Sequence, residues 1–147
     1  DAAKAAKCAL LLPVDTVVSV RIEHGAPVFT RDLGELDEDE RILDAGPETV
    51  ERLLGAMDRS ATLIWNGPLG VFEIPPFDKA TVDAAKHAAA LAKAGKLIAV
   101  AGGGDTVSAL NHAGVSGDFT FVSTAGGAFL EWMEGKTLPG VAALEHK

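Results

Sequence analysis

"LIAVAGGGDT", residues 97–106, sets an apolar run against three consecutive glycines and then an acid. Leu97 to Ala101 has the length and composition of a buried strand, and the glycines lead into "DTVSALNHAG", a helical pattern closed by Gly114. A glycine-rich turn that opens a helix presents backbone N–H groups at the positive end of the helix dipole, which is what an anionic phosphate needs. The fold follows from whether this unit of strand, glycine loop and helix recurs.

It recurs twice. "ATLIWNGPLG" (61–70) is a short apolar strand halted by Asn-Gly-Pro, and the alanine-rich "FDKATVDAAKHAAALAKAG" (77–95) is a helix stopped by Gly95. "DFTFVSTAGGAFLEWMEG" (118–135) repeats the scheme. Three such units, with no Asn-Gly hairpin joining neighbouring strands, predict an α/β fold: a parallel sheet with flanking helices. Loops at the C-terminal ends of parallel strands share one edge, and ligands bind there. "NGPLG" (66–70), "GGGDT" (102–106) and "STAGG" (123–127) are therefore expected on a single rim.

Upstream, "CALLLPVD" (8–15) reads as a buried strand ended by Pro13, and "VVSVRIEHGAPVFT" (17–30), with Gly25 and Pro27 at its middle, as a hairpin-like excursion. The acidic stretch from Asp32 to Asp44 reads as a solvated connection. "GPETVERLLGAM" (46–57) is a helix: Pro47 suits its first position, Glu48 its positive end, and Val50, Leu53, Leu54 and Met57 share one face. Trp65 and Trp132 fall in apolar patterns and are expected in the core.

The 147 residues suit one domain, and 48% hydrophobic content suits a compact one. A formal charge of −8 with no basic cluster argues against nucleic acid as a partner. No apolar run approaches the roughly 20 residues of a membrane span. The lone Cys8 allows no intrachain disulfide and fits a reducing cytoplasm. His24, His87, His112 and His146 lack any metal or triad spacing and are expected at the surface. A dinucleotide GxGxxG starting at Gly102 would need glycine where Val107 stands, so an NAD-dependent dehydrogenase is a runner-up. "GKT" (135–137) follows a helix and lacks glycine at Leu130, so it is no Walker A loop. Asp105 has two readings of equal weight: an N-cap for the first-turn amides, or an oxygen ligand for Mg²⁺.

Taken together, "LLLPVD" (10–15), "LDAGPETV" (43–50), "IWNGPLGVFE" (64–73), "GGGDT", "STAGGAFLEWMEGK" (123–136) and "LPGVAAL" (138–144) resemble phosphoglycerate kinase, in the order of that family's motifs. The resemblance covers nearly the whole chain and is to the latter part of the C-terminal nucleotide-binding domain. It implies a three-layer α/β/α, Rossmann-like but incomplete domain over residues 1–147, with the N-terminal phosphoglycerate-binding domain of the two-domain kinase lying outside this chain. It implies ATP or ADP with Mg²⁺ as ligands, and phosphoryl transfer between 1,3-bisphosphoglycerate and ADP in glycolysis. The parent is then a cytoplasmic monomer that meets phosphoglycerate only through the other domain.

By that resemblance Leu43 and Val71 border the adenine, Asn66 and Pro68 lie along the ribose and phosphates, and Glu73 accepts from ribose hydroxyls. Gly103, Gly104, Asp105 and Thr106 hold the metal-nucleotide phosphates, with Asp105 toward the metal. Thr124, Gly126 and Gly127 face the transferring phosphate. Ala125 stands where the family usually has a glycine. None of the three loops contains Lys or Arg, although phosphoryl transfer relies on cationic clamps, so the chain alone is expected to bind nucleotide weakly and to turn over nothing. A non-catalytic nucleotide-binding module is the alternative from a different class.

Overall fold

The computed structural model describes residues 1–145. Its centre is a parallel sheet of β4 (Thr62–Trp65), β5 (Ile98–Gly102) and β6 (Phe121–Ser123) in the order β4-β5-β6. The connections run through α3 (Lys79–Lys93) and α4 (Gly104–His112), and α5 (Gly126–Met133) follows β6. The repeated unit of strand, glycine loop and helix is thus realised as read.

Period-two alternation sorts the strand residues onto two faces. Trp65, Ala99 and Ala101 point into a core shared with Met57, Leu110, Phe119 and the buried alanine stripe of α3, Ala84, Ala85, Ala88 and Ala89. Alanines on that stripe let the helix lie close to the sheet; Trp65 supplies the bulk, tilted against Phe119 at 6.2 Å between centroids, with its Nε1–H donated to the Gly67 carbonyl. On the opposite face Ile64, Val100 and Phe121 stand side by side across the three strands. There α5 reaches only the C-terminal end, where Phe129 lies over Gly102, and Phe121 is 57% exposed.

A second sheet precedes it. β1 (Asp15–Ser19) pairs antiparallel with β2 (Phe29–Asp32), the expected hairpin excursion, and on its other side with β3 (Arg41–Ala45). β3 corrects the reading of residues 32–44 as a wholly solvated connection. Leu43 and Asp44 are both buried, and Glu40, just before the strand, pairs with Arg31 of β2 at 2.8 Å. A second correction concerns residues 8–13, which form no strand: Leu10 and Leu12 are 70% and 71% exposed. Pro13 has no N–H to donate, and ladder pairing starts only at Asp15. A third is Trp132, which is 63% exposed and stacks on Phe129 instead of entering the core. Of the histidines, His87 and His112 meet Asp58 and Asp78 on partly exposed sites, His24 is exposed, and His146 lies outside the described residues.

Helix α2 (Pro47–Asp58) carries Pro47 at its start as expected, but its cap comes from another element. The Asp15 carboxylate of β1 accepts the amides of Glu48 and Thr49 and the Thr49 hydroxyl. Burial pushes the Asp15 carboxyl up, yet these hydrogen bonds outweigh it and leave it below the usual carboxylate value. Asp44 goes the other way. It is 3% exposed, and burial, reinforced by the charges of Asp78 and Asp83, raises it to about 6 although the amides of Ala45 and Ala80 donate to it.

The raised Asp44 value has a definite sign. Folded Asp44 holds its proton to a higher pH than the unfolded chain does, so stability grows as pH falls through about 6 and the gain is complete near pH 4. The expected contribution across that window is on the order of 2–3 kcal/mol. Asp44→Asn should flatten this part of the stability profile, measured by urea denaturation between pH 4 and 7. An unchanged slope would contradict the account.

Candidate functional site: a glycine-lined rim with an adjoining cavity

The register of β4, β5 and β6 brings the loops that follow them to one edge, and short contacts knit them together. Gly103 has φ of +100°, a backbone conformation that suits glycine. Its N–H donates to the Ser123 carbonyl at 3.0 Å, tying the second loop to the third. Gly126 packs against the same residue: a Cβ there would meet the Gly103 Cα at 2.6 Å, so no side chain fits. The first loop joins through Gly67, whose N–H donates to the Thr106 hydroxyl at 2.7 Å, while Asn66 Oδ1 lies beside Gly103. The predicted convergence of the three loops is therefore present.

Two helices begin at this contact. In α4 the first internal hydrogen bond is from Val107 to the Gly103 carbonyl, and in α5 from Phe129 to the Ala125 carbonyl. Neither start has a side-chain cap, so the amides of Gly104, Asp105 and Thr106, and those of Gly126, Gly127 and Ala128, have no acceptor among the described residues. The Asp105 carboxylate does not cap: Gly103 is the N-cap, and Asp105 stands exposed one position into the helix. That removes the capping reading of this residue. Ala125 has φ of −86°, so its Cβ brings no left-handed strain.

The predicted site residues divide between this rim and an adjoining cavity. Asn66, Gly104, Asp105, Thr124 and Gly127 are exposed on the rim loops, Gly103 is half-buried, and Gly126 and Thr106 are buried. Leu43, Pro68 and Val71 come together elsewhere, as walls of a cavity of about 310 Å³ that Gly70 and Asp44 also line. The Val71 amide donates to the Leu43 carbonyl, which holds these walls to one another. Glu73 is exposed, makes no hydrogen bond or ion pair among the described residues, and is not one of the cavity walls. Two cavity residues are given no role by the motif reading. Thr16 and Asp44 lie on β1 and β3, and only the pairing of those strands brings them beside Pro68.

The loop contacts give two tests of rigidity. Gly126→Ala should destabilise the protein by about 1–3 kcal/mol, since its Cβ meets main chain that cannot swing away. Thr106→Val should cost a similar amount, about 1–3 kcal/mol, by leaving the Gly67 amide without its acceptor. Both are read from chemical denaturation midpoints, and a neutral outcome for either would mean that the loop contact is not held in solution.

Comparison with known proteins places the whole assembly. The family model described as Phosphoglycerate kinase matches residues 1–136. A phosphoglycerate kinase of Caulobacter vibrioides is 74% identical over 145 residues, 99% of this chain and 37% of that relative, and one of Rhodopseudomonas palustris is 62% identical over the full chain. The solved structure of phosphoglycerate kinase from Coxiella burnetii superposes with a TM-score of 0.88 at 36% identity, covering 98% of this chain and 36% of the other; that from Pyrococcus horikoshii OT3 gives 0.72 at 29%. This chain spans about 37% of the length of the curated relatives it matches. With its motifs in order, its parallel sheet and its glycine rim in place, the chain belongs to the phosphoglycerate kinase family.

Proposed function

We propose that this chain supplies the nucleotide side of a phosphoglycerate kinase, moving a phosphoryl group between 1,3-bisphosphoglycerate and ADP to give 3-phosphoglycerate and ATP in cytoplasmic glycolysis. The single observation that carries the reading is the pair of glycines at 104 and 127. Neither has a positive φ, and nothing lies within 4 Å of the position a Cβ would take. Glycine in a helix costs roughly 0.5–1 kcal/mol relative to alanine, and here no internal packing accounts for it. Phosphate oxygens drawn up to six unpartnered amides would account for it.

Each residue then has a role set by its place. The amides at the starts of α4 and α5 receive phosphate oxygens, with Thr124, Gly126 and Gly127 nearest the group in transfer. Thr106 contributes its amide, and its hydroxyl, which accepts from Gly67, keeps its own proton to donate. Gly103 contributes its conformation, its N–H being used by Ser123. Leu43, Pro68 and Val71 form an apolar wall for the base, while Asn66 and Glu73 serve the ribose and the phosphates between. Mg²⁺ fits here through one carboxylate and the substrate's own phosphates, the manner in which it is usually held in such sites. Asp105 is that carboxylate: at an anion site its charge is repulsive unless a cation lies between. Among the described residues no cluster of three metal-ligating side chains exists, consistent with an ion that arrives with the nucleotide.

The rim loops carry no cation, so the positive charge that phosphoryl transfer needs, and the phosphoglycerate site itself, belong to the part of the parent protein beyond the matched 37%. The parent works as a monomer, and this chain alone binds Mg·ADP weakly without turnover.

Amide-resolved NMR titration of the chain with Mg·ADP should shift Gly104, Asp105 and Gly127, and adenosine should leave these signals in place. Shifts confined to other residues would overturn the reading, and turnover by the chain alone in a coupled assay would overturn its inactivity. Gly127→Asp puts a carboxylate at a helix start, where it suits the dipole, so melting should be unchanged or raised while the ADP-induced shifts at α5 disappear.

A further inference from the structure

Thr16 is the one buried polar side chain among the described residues whose oxygen has no hydrogen-bond partner. It is 4% exposed, sits in the middle sheet position between Arg31 of β2 and Ala45 of β3, and lines the 310 Å³ cavity walled by Leu43, Pro68 and Val71. A hydroxyl taken out of water without a partner is destabilising, so its retention beside a cavity points to a partner that the described residues do not provide.

The cavity has the character of a site for a mostly apolar group with a polar edge. Its walls are proline, leucine, isoleucine and valine side chains with few polar groups. It is also joined to the rim by a short path. Pro68 is a cavity wall, the adjacent Gly67 donates to Thr106, and Thr106 lies in the first turn of α4, beside the unpartnered amides. A ligand with an anionic tail at those amides and its other end in this cavity would follow that path. The Thr16 Oγ1 makes no bond within the described residues, so a turn about χ1 breaks none.

We propose that the Thr16 hydroxyl is a hydrogen-bond anchor for the nucleobase of the bound nucleotide, making Thr16 a base-positioning and specificity residue. The inference rests on the nucleotide reading of the rim given above. A hydroxyl both donates and accepts, so it can meet an exocyclic amino group or a ring nitrogen; an aliphatic side chain of the same shape can meet neither.

The test compares wild-type chain, Thr16→Val and Thr16→Ser by NMR titration with Mg·ADP and with Mg·pyrophosphate, which has phosphates but no base. Thr16→Val keeps the β-branched shape suited to a strand and removes the orphan hydroxyl, so it should melt at the same temperature or higher. Its dissociation constant for Mg·ADP should rise about three- to tenfold, the worth of one neutral hydrogen bond, with pyrophosphate binding unchanged and Thr16→Ser restoring ADP affinity. In the wild type, the Thr16 methyl signal should move with ADP and not with pyrophosphate, a reading that needs no variant to fold. Equal ADP affinity of wild type and Thr16→Val, or a Thr16 methyl indifferent to ADP, overturns the inference while leaving the rim intact. Absence of any ADP-induced shift at Gly104 and Gly127 overturns the nucleotide reading, and the anchor falls with it.

Discussion

The close approach of Gly103 and Gly126 is the constraint on which the rest of the rim depends. Two helices can start side by side at the edge of a parallel sheet only if their first residues leave no side chain between them, and here a single methyl group would collide with main chain. The contact turns two separate helix starts into one surface, with six amides that have no acceptor among the described residues and no side chain to cap them. The glycines of these loops therefore serve different ends. Gly103 accommodates a left-handed turn and Gly126 makes room for its neighbour, while Gly104 and Gly127 open onto space and leave the amides approachable.

Electrostatics shapes what this surface can do. A chain with net charge −8 attracts anions only where local partial charges outweigh its overall field, and aligned helix starts are such a place within about one turn. The exposed Asp105 limits that attraction, and in the proposed reading a cation offsets its charge. Away from the rim, Asp15 and Asp44 show how one residue type takes opposite states in one fold. Asp15 gathers the amides and a hydroxyl of a neighbouring helix and is held ionised, whereas Asp44, with two amides and two acidic neighbours, is driven toward its neutral form.

The parallel sheet and its loops were legible in the sequence because their signals are local. An apolar run of four or five residues, a glycine cluster and a helix stopped by glycine are each contained within about fifteen positions, and their repetition set the order of elements. The readings that missed involved pairing at a distance. β3 carries acidic and basic residues and looks like a loop until β1 is placed beside it; residues 8–13 look like a strand but have no partner to form one. Trp132 follows the helical apolar pattern, yet α5 crosses only the end of the sheet and leaves the indole outside.

Family membership, the parallel sheet and the glycine-rich loops that follow its strands were determined by the sequence alone, since residue identity and spacing carry them. Tertiary structure alone decided that Gly103 lends its conformation and not its amide, that the Thr106 hydroxyl braces a neighbouring loop, and that Thr16 and Asp44 wall the same cavity as Pro68. Those facts arise where residues tens of positions apart come within hydrogen-bond distance. Strand pairing and helix packing set such distances, and no local pattern encodes them.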